Sequence, residues 1–357
     1  MKEKSENNIQ LSINHCPGTL AEGFNAYSRT CLKRVFQGKA VHYVLPYDSP
    51  ASNSEMDELF DQNRKRMSIS GVQEKFSVLL DKNKLRLIEE GERGTYILKP
   101  IPGVGKNPDQ MPANEHLTMQ IARQVYGIET AENALIFFKN GAPAYITKRF
   151  DIKDNGSKLA QDDFASLAGR TPQTHGEHYK YLGNYLELFG LMLKYLSTYK
   201  LEAPKLLKLL IFNYLFSNGD AHFKNFSILE TPMGDYRLSP AYDLLNSRIH
   251  IEDKDFALDD GLLPKNKAQG KVSQQFAILA ESAGISETIF NGIMKLMLSK
   301  STEVEKLINA SFLNDSIKRN YWQAYQTRLK KLSKEYSQNQ SIKTVILSQI
   351  STIFATE

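Results

Sequence analysis

The sequence has 357 residues, 41% of them hydrophobic and 24% charged, which is enough for two lobes or domains with a substantial core. Its formal net charge of +5 is mild and argues against a dedicated nucleic-acid-binding protein, which usually carries a strongly basic stripe. The most apolar run, residues 206–216, is far shorter than the roughly 18–20 residues of a membrane-spanning helix. Because the N-terminus is polar and shows no signal peptide, we expect a cytoplasmic protein without membrane association.

Residues 1–65 are weakly patterned and are predicted to form a short N-terminal extension. The two cysteines of the chain, Cys16 and Cys31, lie in this region, whereas zinc sites usually bring their cysteines as close pairs. The sequence therefore favours free cysteines that fill small apolar positions, and a structural zinc site is the less favoured alternative. A polar stretch of small residues at 49–58 is typical of a linker or loop.

Residues 66–150 show the pattern of a small β-rich lobe. Two β-hairpins are predicted from apolar runs joined by polar turns, and Pro100 ends a short strand between them. The helix that separates the hairpins has an apolar stripe, and Gly127 suits the position after its last turn. The predicted elements are strands at 76–80, 85–88 and 96–99, a helix at 113–127, and strands at 133–138 and 143–150.

Residues 151–357 change in character and are predicted to form a larger helical lobe. Long apolar helices are expected at 183–200 and 205–217, the second of them buried nearly all round, and the stretch from about 285 onward also reads as helical. The sequence therefore predicts an α+β fold with two lobes, the first at 66–150 and the second at 151–357.

The segment 217–229, directly after the buried helix, contains the first candidate constellation. Asp220 and Asn225 have the D-x4-N spacing of the protein-kinase catalytic loop. Phosphoryl transfer needs a carboxylate that accepts or orients the proton of the attacking hydroxyl, and an oxygen ligand that holds Mg²⁺ nearby. The structural alternative is a simple Asn-Gly turn between a helix and a strand.

A second candidate is Asp243, which follows a proline and an aromatic residue in the segment 238–247. A second Mg²⁺ ligand belongs at this place, one loop after the catalytic one. Taken alone, Asp243 could equally be an ordinary aspartate at a helix N-terminus. The order Asp220, Asn225 and Asp243 is more specific than either part by itself.

The segment 66–80 leads into and includes the first predicted strand, a place where kinase lobes bind ATP phosphates through backbone N–H groups of a flexible loop. We predict that Ser70, Gly71 and Val72 contact ATP there. Gly71 is the only glycine of the segment, so the pattern is not G-x-G-x-x-G, and an ordinary turn is the alternative.

Lys99, at the end of a predicted strand, is a candidate phosphate ligand. Glu115, on the following helix, could hold this lysine by an ion pair. The alternatives are a solvated lysine and a glutamate favoured by the helix dipole.

Several segments between residues 66 and 247 resemble signature segments of the HipA family of toxin kinases. The family has a two-lobed fold related to eukaryotic and phosphoinositide kinases, and the resemblance covers half of the chain. The matching segments are SISGVQEKFSVLL, YILKP, NEHLTMQIA, ITKRFD, QDDFASLAG, NGDAHFKNFSIL and PAYDLL.

The resemblance implies specific roles for these residues. Asp220 would be the catalytic base, assisted by Lys99 and His222, and Asn225 and Asp243 would bind Mg²⁺. The backbone of 148–150 would form the adenine hinge. The residues implied to contact ATP are Ser70, Gly71, Val72, Lys99, Lys148, Phe150, His222 and Tyr242.

The front of the chain departs from the longer family members, which carry an additional N-terminal subdomain. Here 65 residues precede the predicted phosphate loop, as in the short HipT-like branch, in which that subdomain is a separate small protein. Ser68 and Ser70 also resemble loop serines that are autophosphorylated in that branch.

We therefore expect a Ser/Thr protein kinase that uses ATP and Mg²⁺ and acts as the toxin of a type II toxin–antitoxin system. By resemblance, its substrate would be an aminoacyl-tRNA synthetase. Its partner would be a helix-turn-helix antitoxin, through which alone it would reach operator DNA. One alternative is a small-molecule kinase, because NGDAHFKN also resembles the H-G-D-x-H-x-x-N loop of aminoglycoside and choline kinases, although Asn218 replaces its first histidine. A non-catalytic binding module is the other.

Overall fold

The structure is a computed structural model that describes residues 13–50, 74–103, 105–153, 155–252 and 254–354, with side chains described to residue 341. The chain divides into two compact units. The first unit comprises Met1–Ala160, Pro240–Glu252 and Thr302–Tyr321. The second unit comprises Gln161–Ser239, Asp253–Ser301 and Trp322–Glu357. The lobe boundaries predicted from the sequence stay a prediction.

The first unit is built on a five-stranded antiparallel sheet in the order β2-β1-β3-β5-β4. Both predicted hairpins are present, and the strand that ends at Lys99 lies between them in the sheet. Val78 pairs with Leu87, and Leu98 pairs with Ile146, so apolar side chains lie together on one face. The strands are β1 Phe76–Asp81, β2 Lys84–Leu87, β3 Tyr96–Lys99, β4 Asn133–Phe137 and β5 Pro143–Lys148.

Residues of the N-terminal segment pack against this sheet and share its core. Helix α1, Arg29–Phe36, begins at Ser28, whose hydroxyl accepts the backbone N–H of Cys31 at 3.2 Å. Both cysteines are buried free thiols, and the Cys16 sulfur accepts the N–H of Ser28 at 3.1 Å. Within the described residues, no group of three or more His, Cys, Asp or Glu side chains could hold a metal ion.

Helix α2, Met111–Gln124, lies against β4 and β5. It begins two residues before the predicted helix and ends three residues earlier, and Gly127 follows it with a φ of +59°. The sequence predicted one apolar stripe, but every residue from Pro112 to Ala122 is buried. Its polar residues must therefore find partners inside the protein.

The second unit contains a three-stranded antiparallel sheet that the sequence did not predict. Its strands are only three or four residues long, and β6 and β7 come from distant parts of the chain, so no local pattern reveals them. The strands are β6 Gln161–Asp163, β7 Ser227–Glu230 and β8 Tyr236–Leu238.

The helices that follow β6 account for most of the remaining described chain. None of them is both long enough and apolar enough to span a membrane. They are α3 Phe164–Leu167, α4 Pro172–His175, α5 Leu186–Tyr195, α6 Tyr199–Leu215, α7 Val272–Ser282, α8 Glu287–Leu298, α9 Ser301–Ala310 and α10 Asp315–Phe354.

The predicted boundary between the two apolar helices was wrong. Helix α5 ends at Tyr195, because Leu196 takes the extended conformation with φ −109° and ψ 114°. Helix α6 then begins at Tyr199 and contains Pro204 within its second turn. Proline removes one backbone hydrogen bond of a helix, yet helix α6 continues through Pro204, which therefore does not set the boundary. The predicted helical character from residue 285 onward is confirmed.

Candidate functional site

The first unit contains a buried ion cluster formed by Lys99, Glu115 and Asp243. The Lys99 ammonium lies 2.6 Å from Glu115 Oε1 and 2.5 Å from Asp243 Oδ1. Lys99 is 3% exposed and Glu115 is 2% exposed, whereas the Asp243 side chain keeps 27% of its surface exposed. The predicted ion pair between Lys99 and Glu115 is therefore present, and it includes a third charged group.

Three elements of the first unit position these side chains. Lys99 ends β3, Glu115 lies in α2, and Asp243 belongs to the segment Pro240–Glu252. A backbone bridge holds that segment. The Ala241 N–H donates to the backbone carbonyl of Glu129 at 2.8 Å, and the Ala241 carbonyl accepts the N–H of Ala131 at 2.9 Å. Asp243 has a φ of +55°, the left-handed conformation that is uncommon outside glycine.

The electrostatics of the cluster differ between its two carboxylates. Burial raises the pKa of Glu115, and the nearby Lys99 offsets only part of this effect. Burial also opposes the ionisation of Asp243, but the ammonium groups of Lys75 and Lys99 hold its pKa well below the usual range. Asp243 is therefore an ionised carboxylate with accessible surface, which suits a Mg²⁺ ligand.

Lys75 is a member of the cluster that the sequence analysis did not single out. Its ammonium lies 3.4 Å from Asp243 Oδ2, opposite the oxygen that Lys99 binds. Lys75 precedes β1 by one residue, within the segment predicted to bind phosphate. Its position within that segment could have indicated from the sequence that Lys75 belongs to the site.

Asn114, the neighbour of Glu115, is a second residue that the sequence analysis missed. Its Oδ1 accepts the N–H of Asn246 at 3.1 Å, and its Nδ2 donates to the Asn246 carbonyl at 2.9 Å. The same Nδ2 lies 2.8 Å from Nε2 of His250. One fully buried amide thus fastens the segment that carries Asp243 to helix α2.

The predicted adenine hinge lies at the end of β5. The N–H of Lys148 donates to the backbone carbonyl of Glu132 at 2.7 Å, and the N–H of Arg149 donates to the backbone carbonyl of Thr95 at 2.9 Å. These two groups are engaged within the first unit, so a base bound here would need other backbone atoms. The Phe150 ring packs against that of Tyr242, with centroids 5.8 Å apart, and the two residues form an aromatic pair.

In the second unit, Asp220, His222 and Asn225 lie on one tight loop after α6. The N–H of His222 donates to the Asp220 carbonyl at 2.8 Å and lies 3.2 Å from Asn225 Oδ1. Phe223–Asn225 forms a single 3₁₀ turn that leads into β7. The backbone thus fixes the spacing of the D-x4-N motif.

The Asp220 carboxylate also accepts a hydrogen bond from Tyr181, whose hydroxyl lies 2.7 Å from Oδ1. The Asp220 side chain is 45% exposed, and Nε2 of His222 lies 3.9 Å from the same Oδ1. Tyr181 lies 39 residues earlier in the chain, and no sequence motif connects it with Asp220.

The structure thus brings Lys99, Glu115 and Asp243 together in the first unit, and Asp220, His222 and Asn225 together in the second. Four residues predicted to act in the phosphate loop lie outside the described residues. They are Ser68, Ser70, Gly71 and Val72. The chemical roles assigned from the sequence stay predictions.

Comparison with known proteins identifies the class. The α+β fold is shared with two solved structures, which confirms the fold class. The family model described as a HipA-like C-terminal domain matches residues 67–304. The chain therefore belongs to the HipA-like family, and the fold predicted from the sequence is confirmed.

Two curated relatives carry names that indicate kinases. "Putative kinase Y4dM" of Sinorhizobium fredii is 32% identical over 264 residues, which cover 70% of this chain and 61% of Y4dM. A protein of Haemophilus influenzae named "Putative kinase" is 23% identical over 318 residues, which cover 82% of this chain and 88% of that protein. This chain thus spans less than two thirds of Y4dM and most of the second relative.

Two solved structures share the fold. HipA of Shewanella oneidensis, from a toxin–antitoxin complex with HipB and operator DNA, has a TM-score of 0.57 and 20% identity. That match covers 81% of this chain and 72% of HipA. The Helicobacter pylori proinflammatory kinase CtkA has a TM-score of 0.51 and 14% identity, over 74% of this chain and 97% of CtkA.

Proposed function

We propose that this protein is a serine/threonine protein kinase that transfers the γ-phosphate of ATP with the help of Mg²⁺. Asp220 accepts the proton of the attacking hydroxyl, Asn225 and Asp243 bind Mg²⁺, and Lys99 contacts the ATP phosphates. The observation that supports this proposal most directly is the buried cluster of Lys99, Glu115 and Asp243. Removing a charged group from water costs on the order of several kcal/mol per ion. Kinases use a lysine–glutamate pair and a metal-binding aspartate.

The roles of Asp220 and Asp243 are tested by Asp220→Asn and Asp243→Asn in an assay with labelled ATP and Mg²⁺. Each change should reduce phosphoryl transfer by at least about 10²-fold, as loss of a positioned base or metal ligand does. Circular dichroism should show that both variants fold. The matched control is Asp235→Asn, on the exposed turn between β7 and β8, which should keep full activity. Wild-type activity in Asp220→Asn would show that the catalytic assignment is wrong.

The cellular role we propose is that of the toxin in a type II toxin–antitoxin pair of the short HipT-like branch, acting in the cytoplasm. The similarity in fold to HipA, which was solved with HipB and operator DNA, supports this proposal. A helix-turn-helix antitoxin would bind the kinase and bring it to operator DNA, and a separate small protein related to the N-terminal subdomain of the longer family members would be a further partner. Tight operator binding by the purified kinase alone would contradict this role, since the net charge of +5 is mild.

The substrate we propose is an aminoacyl-tRNA synthetase, whose phosphorylation would stop translation. Phosphoproteomics of host cells that express the wild type or Asp220→Asn tests this class directly. A new phosphate on a synthetase in the wild-type cells alone would support it. Transfer only to small molecules would instead favour a kinase of the aminoglycoside or choline type, and no transfer at all would favour a binding module.

We also propose that Ser68 and Ser70 are autophosphorylated as a switch. A phosphoserine adds about −1.5 to −2 charges, which would repel ATP from a loop that binds polyphosphate. Mass spectrometry should find the phosphate in the wild type and not in Asp220→Asn. The Ser68→Asp/Ser70→Asp variant should lose ATP binding while the double alanine variant keeps it, and equal affinities would rule out the switch.

A further inference from the structure

The Asp220 carboxylate is held through its Oδ1 oxygen. The Tyr181 hydroxyl donates to Oδ1 at 2.7 Å, and Nε2 of His222 lies 3.9 Å from the same oxygen. Within the described residues, the hydrogen bond from Tyr181 and the approach of the His222 ring both involve Oδ1. The Asp220 side chain is 45% exposed, so a group can approach its carboxylate from solvent.

Tyr181 is itself held by three contacts of its ring and one backbone hydrogen bond. The His178 ring packs on it with centroids 5.0 Å apart at 30°, and the ammonium of Lys180 lies 5.0 Å from its ring centre. The His222 ring meets it edge-on at 5.1 Å and 75°. Its carbonyl accepts the N–H of Asp259 at 3.0 Å, which ties its 3₁₀ turn to another segment of the second unit. A tyrosine held in this way presents its hydroxyl in one place.

The protonation state of the pair suits a permanent hydrogen bond. Burial raises the pKa of the Tyr181 phenol, and the negative charge of Asp220 raises it further. The phenol therefore stays neutral and remains a donor over the range in which proteins work. A hydrogen bond of this kind, with a charged acceptor, is stronger than one between neutral groups.

We propose that Tyr181 is a positioning residue for Asp220, an inference that rests on the proposed kinase function. By holding Oδ1, the phenol turns Oδ2 toward the hydroxyl of the protein substrate. In the reaction, that hydroxyl gives its proton to Asp220 while its oxygen forms the new bond to the γ-phosphorus. The bond from the γ-phosphorus to the ADP oxygen breaks, and ADP leaves with that electron pair. Tyr181 keeps its own proton throughout.

The test is Tyr181→Phe, which removes the hydroxyl and keeps the ring that packs against His178 and His222. We expect kcat to fall by about 10-fold or more, because a hydrogen bond to a charged group contributes roughly that much. The KM for ATP should stay within about 2-fold, because Tyr181 is assigned no contact with the nucleotide. The KM for the protein substrate should also change little, so that the loss falls on kcat.

Tyr179→Phe is the matched control, since it removes a hydroxyl two residues away on the same turn. It should leave kcat unchanged. Urea unfolding should give Tyr181→Phe the same midpoint as Tyr179→Phe. That equality separates positioning from a general effect on folding.

Two results would overturn the inference. A higher kcat or a lower KM for the protein substrate in Tyr181→Phe would mean that the phenol blocks the place of the substrate hydroxyl. An unchanged kcat would mean that Asp220 needs no such partner. An inactive wild-type protein would count against the proposed function and against this inference together, whereas an active wild type with an unaffected variant counts against the inference alone.

Discussion

At the residue scale, the buried Lys99 ammonium contacts two carboxylates, and the pKa values of these carboxylates shift in opposite directions. Burial raises the pKa of Glu115, while Lys75 and Lys99 lower that of Asp243 despite its own burial. Burial likewise opposes the charge on Lys99, yet Asp243 and Glu115 raise its pKa above the ordinary value. Glu115 therefore acts as a buried anchor, and Asp243 keeps the negative charge with accessible surface.

The first prediction concerns Lys99→Met. Removing the ammonium leaves Glu115 buried beside a second carboxylate, which should lower the free energy of unfolding by about 3–5 kcal/mol. Urea unfolding at pH 7 measures this loss, and phosphoryl transfer should disappear in the same variant. Lys267→Met, at an exposed position, is the control and should change neither quantity.

The double variant Lys99→Met/Glu115→Leu separates stability from activity. Replacing both partners of a buried ion pair by apolar residues is often neutral, so most of the stability should return while phosphoryl transfer stays absent. If the double variant were no more stable than Lys99→Met, the unpaired Glu115 would not be the cause of the loss.

At the scale of elements, the segment Pro240–Glu252 has little regular structure and depends on its neighbours for its shape. One 3₁₀ turn, Ser247–Ile249, lies within it. The backbone bridge at Ala241 holds one end, and the side chain of Asn114 on α2 holds the middle. His250 completes the attachment, since its Nδ1 lies 2.8 Å from the Lys106 carbonyl. Helix α2 thus positions Asp243 as well as Glu115.

The second prediction is that Asn114→Ala loosens this segment. It leaves the backbone groups of Asn246 without their partner, which should lower the free energy of unfolding by about 1–3 kcal/mol. The Mg²⁺ concentration for half-maximal activity should rise, because Asp243 is less well placed. Titration of activity with Mg²⁺ tests this, with Asn140→Ala on the exposed β4–β5 turn as the control. An unchanged Mg²⁺ requirement would show that the attachment does not govern the metal site.

At the scale of the whole molecule, one buried histidine connects folding to pH. His116 is 1% exposed in helix α2, and its Nε2 lies 3.3 Å from the Gly18 carbonyl of the N-terminal segment. Burial lowers its pKa from 6.5 to about 4, although the carbonyl partly opposes the shift. Below pH 6.5 the unfolded chain therefore binds a proton that the folded protein does not, and stability falls as the pH drops toward 4.

The third prediction is that His116→Gln makes stability less sensitive to acid. The shift from 6.5 to about 4 corresponds to a loss on the order of 3 kcal/mol between neutral pH and pH 4. Glutamine can still donate to Gly18 but does not titrate. Urea unfolding at pH 7 and pH 4.5 should show a smaller difference for His116→Gln than for the wild type. The exposed His175→Gln should keep the wild-type difference, and equal differences in all three proteins would contradict the assignment.

The sequence by itself determined the features that depend on local pattern and spacing. Alternating apolar residues and polar turns predicted both hairpins, and the structure contains them. The positions of Lys99 and Glu115 on successive elements predicted their ion pair. The D-x4-N motif was readable because a single loop carries Asp220 and Asn225. Residues that are close in the chain on a single loop are also close in space.

Only the tertiary structure decided which distant groups complete these sites. Tyr181 reaches Asp220 across 39 residues, and Asn114 reaches Asn246 across 132. Helix α6 begins before Pro204, and β6 exists only through its pairing with β7. Such contacts leave no periodic trace in the sequence, because each depends on a fold that brings together segments far apart in the chain.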